Sequence, residues 1–154
     1  MAESWQRWEG RLVDDRFPLR QYVAGTDHSG VFLTDGPDKS KAAIKLVQVD
    51  PKDQQKQLSR WEQAAKLSHP NLLRILGMGR CKTDGVDALY VVTEYAEENL
   101  GQILPTRALE PGEVKQMLPP ILEALSYLHR EGWVHAHVKP SNAKVEYIPI
   151  IASA

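Results

Sequence analysis

The chain has 154 residues, 42% of them hydrophobic and 25% charged, a globular composition with room for one ordinary domain. Its 19 Lys and Arg against 20 Asp and Glu leave a net charge of -1, so no basic excess points to a nucleic-acid backbone or an anionic membrane surface. A single cysteine, Cys81, excludes an internal disulfide and a Cys-rich zinc site, and directs expectation to a reducing compartment, the cytoplasm.

In chain order, residues 1–10 carry scattered charges and no apolar stretch of the signal-peptide kind. Nowhere does an apolar run approach the roughly 20 residues of a membrane helix. Residues 17–23 and 31–34 are β-prone runs on either side of the turn-rich segment Gly25-Thr-Asp-His-Ser-Gly30. A third run, 42–47, follows the turn at 35–39 and completes an antiparallel meander. Over 54–67 the period becomes helical, with Leu58, Trp61 and Ala65 at i, i+3 and i+7, and His69-Pro70-Asn71 ends the helix. Strands are predicted at 72–76 and 89–93, separated by a polar turn between Gly77 and Asp87. After Glu94 the pattern is helical, with a short helix at 99–104 and a long one at 113–130 that Gly132 closes. Pro119-Pro120 predicts a kink or a fresh start within the long helix. Leu122, Leu125 and Leu128 are expected in the core, and Trp5, Trp8, Trp61 and Trp133 are expected to pack. The fold class is α+β: a five-stranded antiparallel sheet with one helix, then the beginning of a helical region.

Four motifs lie on these elements in order: Ala42-Ala43-Ile44-Lys45 on the third strand, His69-Pro70-Asn71 after the helix, Tyr90-Val-Val-Thr-Glu-Tyr95 at the end of the fifth strand, and His135-Ala-His-Val-Lys-Pro-Ser-Asn142. Together they resemble the first part of a protein kinase domain of the bacterial or eukaryotic-like Ser/Thr type, from about Phe17 to Asn142. The resemblance implies a small lobe and hinge over about 17–95, the start of the large lobe over 96–142, and a divergent tail at 143–154. It implies ATP and Mg²⁺ as cofactors and a protein substrate or regulated partner. Val23, Val31 and Ala43 would line the nucleotide site, Lys45 would reach the α- and β-phosphates, and Thr93 would be the gatekeeper. Glu94 and Ala96 would offer backbone hydrogen bonds to adenine, Lys139 a phosphate contact, and Asn142 a magnesium ligand.

Several residues depart from the family's pattern. His137 stands where the catalytic Asp would accept the substrate proton, with Ala136 in place of the neighbouring Arg, and losing a positioned base costs about 10²–10⁴-fold in rate. The helix carboxylate that pairs with the strand lysine falls on Arg60, which shares a face with Ala64 and Leu67 and would repel Lys45. Glu62 lies about 200° round the helix from it. Ala24, Thr26 and Ser29 occupy the three glycine positions of the phosphate-covering loop, while Gly25 and Gly30 lie one residue off; the segment either covers a nucleotide loosely or is simply a hairpin turn. Val31-Phe32 after Gly30 excludes a Walker A loop. Lys144 puts a charge beside the expected floor of the adenine pocket. His135-x-His137 has no third metal ligand nearby, so a zinc site is not expected. The chain contains no D-F-G, activation loop or A-P-E after Asn142, and is shorter than a complete kinase domain. The expectation is a truncated, catalytically silent kinase-like module that binds ATP or regulates a partner. Its alternatives are part of an active Ser/Thr kinase in which His137 or a water serves as base, a non-catalytic scaffold, or a remnant reading frame.

Overall fold

The computed structural model describes residues 5–83, 85–95, 103–133 and 148–149. Strands β1 (Leu12–Val13), β2 (Phe17–Pro18), β3 (Gln21–Gly25), β4 (Ser29–Asp35) and β5 (Lys41–Val47) precede helix α1 (Gln54–Ala64). Then follow β6 (Leu72–Leu73), β7 (Ile75–Thr83), β8 (Val86–Glu94), helix α2 (Pro111–Arg130) and β9 (Ile148–Pro149). The chain divides into two units, one drawn from Met1–Lys66 and Ile75–Tyr95, the other from Leu67–Arg74 and Ala96–Ser153.

In the first unit, β3, β4, β5, β8 and β7 form the expected five-stranded antiparallel sheet, and stand in it in that order. The side-chain period of two sends Ala42, Ile44 and Leu46 of β5 to one face, where all three are fully buried. Phe32 of β4 and Tyr90 and Val92 of β8 join them in one core cluster. That face is closed by residues 5–19, a strap whose Trp5, Trp8, Val13, Phe17 and Leu19 belong to the same cluster. The expected strand at 17–23 is therefore divided: Phe17–Pro18 pairs with Leu12–Val13, and only Gln21–Gly25 enters the sheet. Asp14 and Asp15, at φ 53° and 54°, make the tight turn between β1 and β2. Left-handed backbone is a conformation Asp accepts more readily than most residues.

β8 and the far end of β7 extend further than predicted, because the Gly77-to-Asp87 segment is mostly strand, while Leu72–Leu73 of the expected strand 72–76 pairs with Ile148–Pro149 instead of entering this sheet. Glycine in β7 has a packing reason: a β-carbon at Gly79 would sit 2.8 Å from the Tyr90 hydroxyl, its cross-strand neighbour. The same hydroxyl donates to the Asp14 carboxylate at 2.5 Å, tying the strap turn to β8. Burial, with the Asp14 hydrogen bond and charge, holds the Tyr90 phenol well above its ordinary value. Nearby, burial and the charges of Asp14 and Asp87 push the Cys81 thiol up to about 11, so it stays protonated at neutral pH.

In the second unit, Leu67, Leu72, Ile121, Ala124 and Leu128 form a small core, with Met117, Leu125, Tyr127 and Trp133 packed against it. Trp133 therefore packs as expected, as do Trp5, Trp8 and Trp61 in the first unit. Leu122, expected in the core, is instead 51% exposed, because the face of α2 turned to this core runs through Met117, Ile121, Ala124, Leu125 and Leu128. α2 runs unbroken through Pro119 and Pro120 where a kink was predicted. The carbonyls that lose their donors belong to Lys115 and Gln116, both exposed, so water can satisfy them. The helix ends at Gly132, φ 84°, where Trp133 N–H donates to the Leu128 carbonyl at 2.8 Å. The predicted helix at 99–104 lies outside the described residues except for its last two.

α2 begins with Pro111 after an N-cap Glu110, and Glu113 accepts from the Glu110 N–H at 3.0 Å. Arg107 grips the same carboxylate with two bonds of 2.7 and 2.8 Å. These bonds, Arg107 first and the Glu110 N–H second, draw the Glu113 carboxyl down to about 2 from an ordinary 4.5. A value lowered by folding contributes stability above the unfolded value and loses it as the pH falls through the folded one. The first turn of α2 should therefore loosen between about pH 4.5 and 2. Amide exchange at residues 113–116 will show this step, and Glu113→Gln will lack it.

Candidate functional site

The second face of the sheet carries four of the predicted site residues, Val31, Ala43, Lys45 and Thr93. Lys45 on β5 is in register with Val31 on β4 and Val91 on β8, and Ala43 with Leu33 and Thr93. Residues two apart on a strand share a face, so Val31, Ala43, Lys45 and Thr93 come together within two adjacent rows about 7 Å apart. Val31 and Val91 are buried and wall the stem of Lys45, itself half-buried. Ala43 is the smallest side chain on this face of β5, a shallow place between Leu33 and Thr93. Glu94 ends β8 opposite Ala42, and the Lys41 ammonium lies 4.9 Å from the centre of the Tyr95 ring.

Val23 does not join this group. It is the residue skipped between the paired Tyr22 and Ala24, it is 47% exposed, and Ala24 takes the register position opposite Val31. Ala96, His137, Lys139 and Asn142 lie outside the described residues, as does His135.

The segment aligned with the phosphate-covering loop is a tight hairpin. Gly25 pairs with Gly30, Thr26 N–H donates to the Ser29 carbonyl at 2.8 Å, and His28 N–H donates to the Thr26 hydroxyl at 3.3 Å. The Thr26 and Ser29 hydroxyls lie 3.0 Å apart. A β-carbon at Gly25 would come within 2.7 Å of the Ser29 carbonyl oxygen, so glycine serves the closing of the hairpin itself. The N–H groups of Thr26 and His28 are thus already engaged within the turn.

α1 lies on the same side of the sheet as Lys45. It packs on β7 and β8, and Gln55 accepts from Arg80 at 3.1 Å. Arg80 pairs with Leu89, which pairs with Val47, two residues from Lys45. The helix buries Trp61 and Ala64 and exposes both Arg60 and Glu62. Of the expected inward face, Ala64 and Leu67 are buried, but Arg60 is not and that part is corrected: the large apolar surface of Trp61 takes the inward position and leaves Arg60 in solvent. The repulsion between Lys45 and Arg60 that followed from that register falls with it. Among the described residues no group of three or more His, Cys, Asp or Glu could hold a metal ion, so they offer magnesium no carboxylate cluster. Nor is any described helix long and apolar enough to cross a membrane.

Residue spacing missed the strap contacts to this sheet. Trp5, Glu9 and Asp14 touch Gly30, Tyr22 and Tyr90, and only the Trp5-x-x-Trp8 spacing and the Asp14-Asp15 turn hint at them.

A family model described as the protein kinase domain matches residues 28–146, a span that holds every predicted site residue except Val23. The curated relatives include the probable serine/threonine-protein kinase PknB of Corynebacterium glutamicum, 26% identical over 141 residues, 87% of this chain and 22% of the relative. The serine/threonine-protein kinase PrkC of Bacillus subtilis is 24% identical over 146 residues, 90% of this chain and 22% of the relative. A probable serine/threonine-protein kinase of Streptomyces coelicolor is 36% identical over 108 residues, 66% of this chain and 16% of the relative. The chain spans about a fifth of the length of these relatives.

Proposed function

The chain belongs to the protein kinase family, and from that premise we propose that it is a nucleotide-binding kinase-like module that does not itself transfer phosphate. The observation that carries the nucleotide half is the Lys45 face, where Val31, Ala43, Lys45 and Thr93 stand in adjacent rows of the sheet. Val31 and the small Ala43 offer apolar surface to a purine ring, and Lys45 offers a cation to its phosphates. Thr93 and Glu94 mark the edge where the backbone, with Ala96, would meet the base. ATP is the nucleotide the family uses, with Mg²⁺; Asn142 is the magnesium ligand by resemblance.

The silent half rests on the sequence His135-Ala136-His137 and on the hairpin. His137 replaces the carboxylate that would orient and deprotonate a hydroxyl nucleophile, and the hairpin uses two of its N–H groups internally where a phosphate would need them. Such a module would act by being occupied or empty, and so by presenting one of two surfaces to a partner.

Thermal unfolding with millimolar ATP, with and without Mg²⁺, tests the nucleotide half. Ligand at tenfold its dissociation constant stabilises by about 1.4 kcal/mol, which raises the melting temperature of a domain this size by about 3–6 °C. Lys45→Met should abolish the rise. An unchanged melting temperature for the unsubstituted chain overturns the reading.

A further inference from the structure

The strap that closes the first unit precedes the span matched by the family model, and two of its residues, Trp5 and Glu9, reach the β3–β4 hairpin. We propose, resting on the nucleotide reading above for its consequence, that Trp5 and Glu9 are positioning residues. They hold this hairpin from outside and so set how readily it opens over a bound nucleotide.

β3 needs such support. None of its five residues is fully buried, and it lies at the edge of the sheet, so beyond the ladder to β4 its hold on the core comes through Tyr22, which packs edge-on against Phe32 with ring centres 5.6 Å apart. The strap supplies the rest. Trp5, 2% exposed, lies against Gly30: a β-carbon there would meet its Cγ and Cδ2 at 3.0 Å. Gly30 is the residue that pairs with Gly25 to close the hairpin. Trp8 backs Trp5 with its ring centre 5.1 Å away. On the other strand, the Glu9 carboxylate accepts from the Tyr22 N–H at 2.8 Å, just before the bulge that skips Val23. Glu9 thereby occupies a donor that an edge strand would otherwise leave for a sixth strand or for water.

Gly30 accordingly has a role that its place near the family's glycine positions would not suggest: it makes room for the Trp5 ring. The Trp5 Nε1 is buried without a hydrogen-bond partner among the described residues, so the ring is held by shape alone. Trp5→Phe should therefore keep the clamp and Trp5→Ala should lose it.

Hydrogen exchange on the whole chain reads the clamp directly. In Glu9→Ala the Tyr22 amide should exchange about tenfold faster, the cost of losing one charge-assisted bond. In Trp5→Ala the amides of residues 21–31 should accelerate by about tenfold or more while those of residues 42–47 and 88–92 stay protected. Trp5→Phe should match the unsubstituted chain. If Trp5→Ala does not fold, the exposed Glu9→Ala still decides the matter. Unchanged exchange at Tyr22 in Glu9→Ala overturns the proposal, as does loss of protection spread evenly over the sheet in both alanine variants. A fluorescent ATP analogue, titrated in parallel, should bind at least about threefold more weakly to the two alanine variants. If it binds no variant and not the unsubstituted chain either, the nucleotide reading fails while the exchange result still decides the positioning role. Equal affinity in all of them, with faster hairpin exchange, overturns the link to the nucleotide.

Discussion

Tyr90→Ala will release the strap from the sheet and cost the first unit about 3–5 kcal/mol, as large aromatic truncations in a packed core do. Tyr90 is 1% exposed and is the largest of the fully buried side chains among the described residues. Three separate interactions meet in it. Its ring lies 5.6 Å from that of Phe17, at a tilt of 55°. Its hydroxyl reaches Asp14 at 2.5 Å, and its ring fills the space that Gly79 leaves open. Removing it takes a partner from β2 and from the β1–β2 turn at once. Against a typical net stability of about 5–15 kcal/mol, such a loss consumes a large fraction of the whole. Tyr90→Phe keeps the ring and removes only the bond to Asp14, so it should cost less, about 1–2 kcal/mol for one hydrogen bond to a charged but exposed group. Urea unfolding followed by tryptophan emission is the suitable measurement, because Trp5 and Trp8 both lie in the strap. An early red shift in Tyr90→Ala, ahead of loss of the β-sheet circular dichroism signal, is the expected result. A midpoint equal to that of the unsubstituted chain would show that Tyr90 does not hold the strap.

The parts of this fold that a linear reading reaches are those whose side chains alternate. Ala42, Ile44 and Leu46 against Ala43, Lys45 and Val47 is a clean period of two, and it places Lys45 and Ala43 on one face before any coordinate is known. Where local pattern and tertiary packing disagree, packing wins. Gly77 and Gly79 look like turn residues but sit in a strand, because Tyr90 needs the room that Gly79 gives and Phe17 is the nearest side chain to Gly77. Arg60 has a helical spacing that fits an inward face, yet the bulk of Trp61 decides the rotation of α1. The strap was illegible for another reason. Its strands are two residues long and its anchors, Trp5, Trp8, Val13, Phe17 and Leu19, follow no single period. Val23 shows the same limit within the site: a one-residue bulge moves it out of register with Val31, and nothing in residues 21–25 signals the bulge.

Incubation of the chain with radiolabelled ATP, magnesium and a generic basic protein should give no Lys45-dependent incorporation of γ-phosphate. Loose phosphoryl-transfer chemistry asks of the protein mainly position and charge, and by resemblance His137 stands where a kinase has the carboxylate that orients the attacking hydroxyl. A misplaced or missing base lowers the rate by about 10²–10⁴-fold. From a kinase turnover of about 1–100 per second, that alone leaves at most about one event per second, and at the low end about one in several hours. Ala136 and a hairpin whose Thr26 and His28 N–H groups are spent internally lower it further, since phosphate charge then meets fewer preorganised donors. Lys45→Met supplies the control, because any true transfer at this face would need the Lys45 ammonium and contamination would not. Two outcomes are therefore distinct. Equal background in the unsubstituted chain and in Lys45→Met agrees with a module that binds without transferring. Incorporation that falls in Lys45→Met would make the chain an enzyme, with His137 or a water as the base.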